Sequence, residues 1–430
     1  MTKPQSSEER LRALFSKVVP NAILNAGGRA DDVQCHPGTR ERVIEMVETW
    51  MGGKADSPDT GSKIMWLSGP AGAGKSAIMQ TVAERQKARG HLAPNFFFFR
   101  EDDTRNHADG LVATLLYQLM ESYPALKEVV ESVLSATPLI LKQSIADQFS
   151  KLITSAIDTI ARHDAFPITL LVDGLDECKA NDQFKKQQQQ VLQVLHDLVT
   201  RANSPFNVLI ASRREPHLIR NFKKLEKSTQ FIFLEDDSDA NDGIRRFVTD
   251  KFLELKATHH LARHLGEQWP SETAINDIVA KSSAQFIYAA TVMRFLETSS
   301  ASPKVMLEIV QGVKPAEDHS PFAQIDAVYS YIFSQVKNKP AVKAILGIHF
   351  IMNIPGPRLS VTFTMCLLLY NNLYNLEMLE SLISDLTSIL RLDTKARNAG
   401  LVFYHASLGD YLRDQSRSGV HHVDLEVTVF

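Results

Sequence analysis

The octapeptide "GPAGAGKS" (69 to 76) constrains this chain more than any other stretch. It follows the apolar run "KIMWLS" (63 to 68) and precedes a segment in which Ile78, Met79 and Val82 recur at helical spacing. Strand, glycine-rich turn, helix is the context that gives G-x-x-x-x-G-K-[ST] a physical meaning. In it, successive backbone N–H groups converge on phosphate oxygens at a helix N-terminus, whose partial positive charge favours an anion. Gly69, Pro70, Ala71, Gly72, Ala73, Gly74, Lys75, Ser76 and Ala77 then make a phosphate cradle. The Lys75 ammonium reaches the β- and γ-phosphates and the Ser76 hydroxyl coordinates magnesium. The plainer alternative is an ordinary glycine-rich strand-to-helix turn, which the context of strand and helix disfavours.

Such a cradle also requires a carboxylate on the magnesium side at the end of another core strand, and "ITLLVDGLDEC" (168 to 178) supplies it. Asp173 takes that place as a metal ligand, while Asp176 and Glu177 follow closely enough to orient or deprotonate an attacking water. Only one of these two need act. The run "NVLIASRREPHL" puts Arg213 and Arg214 at a strand end, the usual ligand side of an open α/β sheet, where Arg213 could sense a γ-phosphate. Arg100 and Arg105 follow a further run, "FFFF", and are weaker candidates. His260 and His264 lie at i and i+4, a spacing that can bind metal. They lack the Glu of HExxH and any nearby thiolate, so a solvated helix face is expected.

Five short, mostly continuous apolar runs at 63–68, 95–99, 168–173, 207–212 and 229–234 alternate with segments of helical periodicity. Runs of this kind suit parallel strands buried on both faces. The expected fold class is therefore α/β: a P-loop NTPase parallel sheet of the additional-strand (ASCE) type over residues 61–235, after an N-terminal segment and lead-in helix (1–60). From 236 the alternation stops and a helical domain is expected to about 300. Residues 301–430 are helical until the runs "TSILRLD" and "GLVFYHAS", which suit a β-hairpin and hence a winged helix. The glutamine run at 187–190 reads as the polar start of a helix.

At 430 residues the chain exceeds one ordinary core. A net charge of −3 gives no field that would draw in nucleic acid or an anionic membrane, so neither is an expected partner. Three cysteines without a CxxC pair indicate neither a disulfide framework nor a zinc knuckle and suit a reducing, cytoplasmic compartment. The charged N-terminus does not resemble a secretory signal.

These residues resemble the NACHT NTPases of the signal-transducing (STAND) P-loop class, in the fungal form related to the nephrocystin-type N-terminal domain. Asp173, Gly174, Asp176 and Glu177 match the family's second-strand hallmark. "CHPGTR" (35 to 40), "WLSGPAGAGKSAI", "FFFFRED", "ASRREP", "FIYAATVMRF" and "FYHASLGDYL" also resemble stretches of its fungal members. The resemblance implies a P-loop sheet, a small helical domain and a winged helix that folds over bound ADP. It brings Thr39 and Arg40 near the adenine and His405 to the β-phosphate. Two positions depart from the pattern. Ser283-Ala284-Gln285 stands where many relatives have a glycine before "FIYA", and Leu408 and Tyr411 fill the aromatic positions of "HxSFxDF".

Two functions lead at this level, ahead of a P-loop kinase or motor acting on a small molecule or nucleic acid, for which no lid-like arginine-rich insertion or basic stripe is visible. One is an ATP-binding, slowly hydrolysing switch with ATP/ADP and Mg2+ as cofactors, self-associating when ATP-bound, its sensor and effector expected to be missing, supplied by a protein in trans, or lost from a truncated chain. The other is a scaffold that holds nucleotide and turns nothing over. The absence of an NKxD motif favours ATP over GTP.

Overall fold

The five apolar runs each form one strand, and all five join a single parallel sheet. They are β1 (Ile64–Ser68), β2 (Asn95–Phe97), β3 (Ile168–Asp173), β4 (Phe206–Ser212) and β5 (Thr229–Phe233). The order is β2-β3-β4-β1-β5, every neighbouring pair parallel. Each residue of β1, β3 and β4 is buried, which is why these strands read as continuous apolar runs rather than as an alternation. β4 lies between β1 and β3, the extra-strand arrangement expected of this class. Ser68 of β1 is level with Ser212 of β4, and Phe97 of β2 with Asp173 of β3, so the strands end along one edge. The loops that leave that edge carry the glycine-rich octapeptide, the acidic turn and Arg213.

The computed structural model describes residues 7–25, 34–52, 61–91, 93–100, 102–159, 167–178, 182–312, 322–353, 362–371, 374–393 and 400–425. They divide into two compact units. The first comprises Met1–Cys35, Glu41–Pro70 and Lys75–Asp236. It holds the sheet and its helices, among them Lys75–Ala88, Leu111–Ser122 and Asp182–Thr200, around a core that includes Phe96, Leu115, Val172, Leu195 and Phe222. Inside it Trp66 stacks on Phe222 at 4.0 Å and donates its indole N–H to Ser212 Oγ at 2.8 Å, tying β1 to β4.

The second unit comprises His36–Arg40, Ala71–Gly74 and Asp237–Phe430. Its helices include Ala240–Thr258, Glu272–Ser282, Phe286–Thr298, Ala323–Ser334 and Lys339–Met352, followed by an antiparallel pair, β6 (Leu390–Asp393) and β7 (Gly400–Phe403), and the helix Ala406–Arg413. The residues that would turn the hairpin, 394–399, lie outside the described residues. One hydrophobic cluster runs from Ile244 to Val423, across the point near 300 where the sequence suggests a boundary. Among the described residues no helix is long and apolar enough to cross a membrane.

The missing glycine before "FIYA" leaves a mark on the backbone. Ser283 and Ala284 have φ of 47° and 61°, the left-handed region that a glycine occupies without steric penalty. Ala284→Gly is therefore expected to stabilise the chain by roughly 0.5–1 kcal/mol, the reverse of the usual Gly-to-Ala sign. Thermal unfolding would register this as a rise of about 1–2 °C, and a fall would show that the conformation is not strained.

Candidate nucleotide-binding site

The octapeptide is shared between the two units, with Gly69, Pro70, Lys75 and Ser76 in the first and Ala71–Gly74 in the second. Lys75 opens the helix Lys75–Ala88. Its ammonium donates to the carbonyl oxygens of Gly69 and Pro70, each at 2.8 Å, closing the loop on itself. Burial pulls its pKa down from the ordinary lysine value; the negative charge of Asp176 opposes that, as do Asp173 and Glu177, while Arg213 adds to it. Lys75 thus stands in one electrostatic neighbourhood with the three carboxylates and the arginine that the sequence singles out.

Within Ala71–Gly74 the backbone does what only glycine allows. Gly72 has a φ of +80°, and a Cβ built on it would lie 2.1 Å from Ile287 Cγ2. Gly74 has a φ of +93° and would place a Cβ in open space. One glycine is therefore required by a neighbour, the other by the left-handed turn alone. Ala77 lies in the first turn of the helix that follows.

The acidic turn leaves the end of β3. Asp173 is the last residue of the strand and is buried. Asp176, also buried, accepts the Arg213 backbone N–H at 2.9 Å through Oδ1, and its Oδ2 lies 3.3 Å from Arg213 Nε. Glu177 Oε2 accepts the Arg100 backbone N–H at 3.1 Å. Burial, and next the Asp176 charge, push the Glu177 pKa up to about 7, against the opposing pull of Arg213 and Arg100. The two acidic residues thus differ in kind: Asp176 ties the end of β4 to the turn, while Glu177 is poised to exchange a proton near neutrality.

The other residues singled out by the sequence make contacts within the protein. Arg105 pairs with Asp102 at 2.9 Å and lies over Phe99, and Arg214 reaches Glu235 at 3.4 Å and lies over Phe233. His260 stacks on His259, and His264 accepts from Arg263. His405 caps the helix Ala406–Arg413, its Nδ1 accepting from the Ser407 N–H at 3.0 Å. Thr39 closes a turn onto the His36 carbonyl, and Arg40 is buried with its guanidinium committed to Asp237 and to the Ala73 carbonyl.

Gln188 does not stand out in the sequence. It is fully buried in the helix Asp182–Thr200, where Nε2 donates to the Cys178 carbonyl at 2.6 Å and Oε1 meets His217 Nε2 at 2.5 Å. It therefore fixes the exit of the acidic turn. Its register with Val191, Leu192 and Leu195, three, four and seven positions on, is the signal that marks it as inward-facing.

For magnesium, the hydroxyl of Ser76 and the carboxylate of Asp173 are the hard oxygen donors at these two loop ends. Among the described residues no three His, Cys, Asp or Glu side chains are grouped to hold an ion unaided. A magnesium ion here would need phosphate oxygens and water to complete its octahedron, which fits an ion that arrives with a nucleotide.

Residues 38–213 match the family model described as nephrocystin 3, N-terminal. No curated protein matches the chain. Solved structures with a similar chain path include the FIGL-1 AAA domain, 16% identical over 74% of this chain and 94% of that one, TM-score 0.39. The ORC1 protein of Aeropyrum pernix, solved in complex with DNA, is 14% identical over 91% and 94%, TM-score 0.36. Katanin, described for its self-assembly, is 12% identical over 76% and 98%, TM-score 0.35.

Proposed function

We propose, on the premise that residues 38–213 are a P-loop NTPase domain of the nephrocystin 3 N-terminal family, that the chain is a NACHT-type switch. It binds ATP with magnesium, hydrolyses it slowly, rests with ADP and self-associates when ATP-bound. The observation that supports turnover most directly is Glu177: a half-buried carboxyl with a pKa near neutrality, held by the Arg100 N–H in the same charged cluster as Lys75. A group of that pKa can take a proton from an attacking water and release it again at working pH. Lys75 and the loop N–H groups would bind the polyphosphate, Ser76 and Asp173 would hold the ion, and magnesium when bound would neutralise charge on the transferred phosphoryl. Arg213 must leave Asp176 to reach a phosphate, which suits a slow step. His405 and Thr39 carry the family's expected contacts to the β-phosphate and the base.

The test is hydrodynamic. Size-exclusion with light scattering should give a monomer with ADP and a larger species with a non-hydrolysable ATP analogue and magnesium. Identical mass and shape in both would remove the switch. The scaffold reading draws on the closed contacts of Lys75 with Gly69 and Pro70, which hold the loop without a ligand. It would be favoured by bound ADP together with no γ-phosphate cleavage in a single-turnover assay.

A further inference from the structure

Arg40 lies 33 residues before Ala73 in sequence, yet its Nη2 donates to the Ala73 carbonyl at 2.8 Å. Its Nη1 donates to Asp237, with both side chains buried. Phe286 packs its ring 5.2 Å from the guanidinium, and the next residue, Ile287, donates its backbone N–H to the Gly72 carbonyl at 3.3 Å. Two consecutive peptide oxygens of the phosphate loop are thus taken by donors that lie outside the loop. In a planar trans peptide the N–H points opposite to the C=O. Fixing the Gly72 and Ala73 carbonyls therefore fixes the direction of the Ala73 and Gly74 N–H groups, away from Ile287 and Arg40.

We propose that Arg40, locked by Asp237, is a positioning residue for the phosphate loop: it holds the Ala73 carbonyl so that the Gly74 N–H is aimed in advance at a bound polyphosphate, with the Ile287 N–H doing the same for Ala73. This rests on the nucleotide-binding reading and departs from a role for Arg40 at the base. The Asp237 carboxylate keeps the guanidinium from swinging out to solvent, and the Phe286 ring covers it. Donors oriented before the ligand arrives need no reorganisation when it does, and that is the source of their effect on affinity. Asp237 and Ile287 belong to the same compact unit as Ala71–Gly74 and Arg40, so the loop's conformation is set by that unit.

The test uses ligands with and without a base. Removing Arg40 alone would leave a lone buried carboxylate, so the informative variant replaces both partners, Arg40→Met with Asp237→Leu, which leaves no unpaired charge. Its affinity for ADP, GDP and inorganic tripolyphosphate should fall by a similar factor, on the order of ten- to a hundredfold, the worth of a hydrogen bond from a charged donor. Asp237→Asn, which keeps the donation to Ala73, should lose less for all three, and Arg40→Lys should recover part of the loss. A loss for ADP with unchanged tripolyphosphate binding would overturn the inference, because Arg40 would then read the base. Unchanged binding of all three by the double variant would overturn it too. A wild-type chain that binds none of them removes the nucleotide reading itself, and the inference with it.

Discussion

Lys75→Ala is expected to abolish ATP turnover and weaken nucleotide binding by about a hundredfold or more, the ~3 kcal/mol typical of truncating one partner of a desolvated charge pair. Its thermal stability in nucleotide-free buffer should hardly change. The partly buried ammonium has two neutral carbonyls as hydrogen-bond partners, and burial disfavours its charged form. Removing it relinquishes those two bonds and some alkyl packing but also relieves the desolvation, and the nearby acidic turn retains Arg213 and the Arg100 N–H. The opposing terms should leave the fold within about 1 kcal/mol, no more than about 4 °C in Tm. Calorimetric titration, phosphate release and a nucleotide-free melt separate the outcomes. A variant that still turns over ATP would sink the cradle, and one whose Tm drops by several times that amount would make Lys75 a structural brace.

What the sequence made legible and what it hid divide by range. The strands were readable because a parallel strand covered on both faces must be apolar at every position, and "ITLLVD" and "NVLIAS" can do little else. The loop was readable because its chemistry lies within eight consecutive residues. The acidic turn was only half readable: Asp176 and Glu177 are adjacent and chemically alike, and what separates them is the Arg213 N–H arriving from β4, 37 positions away in sequence. No periodicity carries that information. Arg40 shows the same limit more sharply, since its partner Asp237 is 197 residues distant and nothing beside Arg40 in sequence points to it. Gln188 was hidden by composition, one glutamine among four, although its helical register with Val191 and Leu195 pointed inward.

The distinction within the acidic turn leads to the second large effect. Glu177→Gln should lower the hydrolysis rate by about a hundred- to a thousandfold, within the range for loss of a general base, while nucleotide affinity stays at the wild-type value. Asp176 cannot substitute, because its carboxylate is engaged by the Arg213 N–H and faces Arg213 Nε. In the wild type the base must be ionised to act, so the hydrolysis rate should rise with pH through about 7, the pKa to which burial and the Asp176 charge raise Glu177. The same shift has a sign for stability. The native carboxyl holds its proton up to about 7 and the unfolded one only to about 4.5, so between those values the native state binds more protons. Stability from this group is fully present below about 4.5 and is lost as the pH rises through about 7. Glutamine is a neutral isostere that never ionises, so Glu177→Gln should flatten the rate profile and remove the loss of stability over the same window. A variant that retained the wild-type pH dependence of its residual rate would assign that titration to another group and the proton transfer with it.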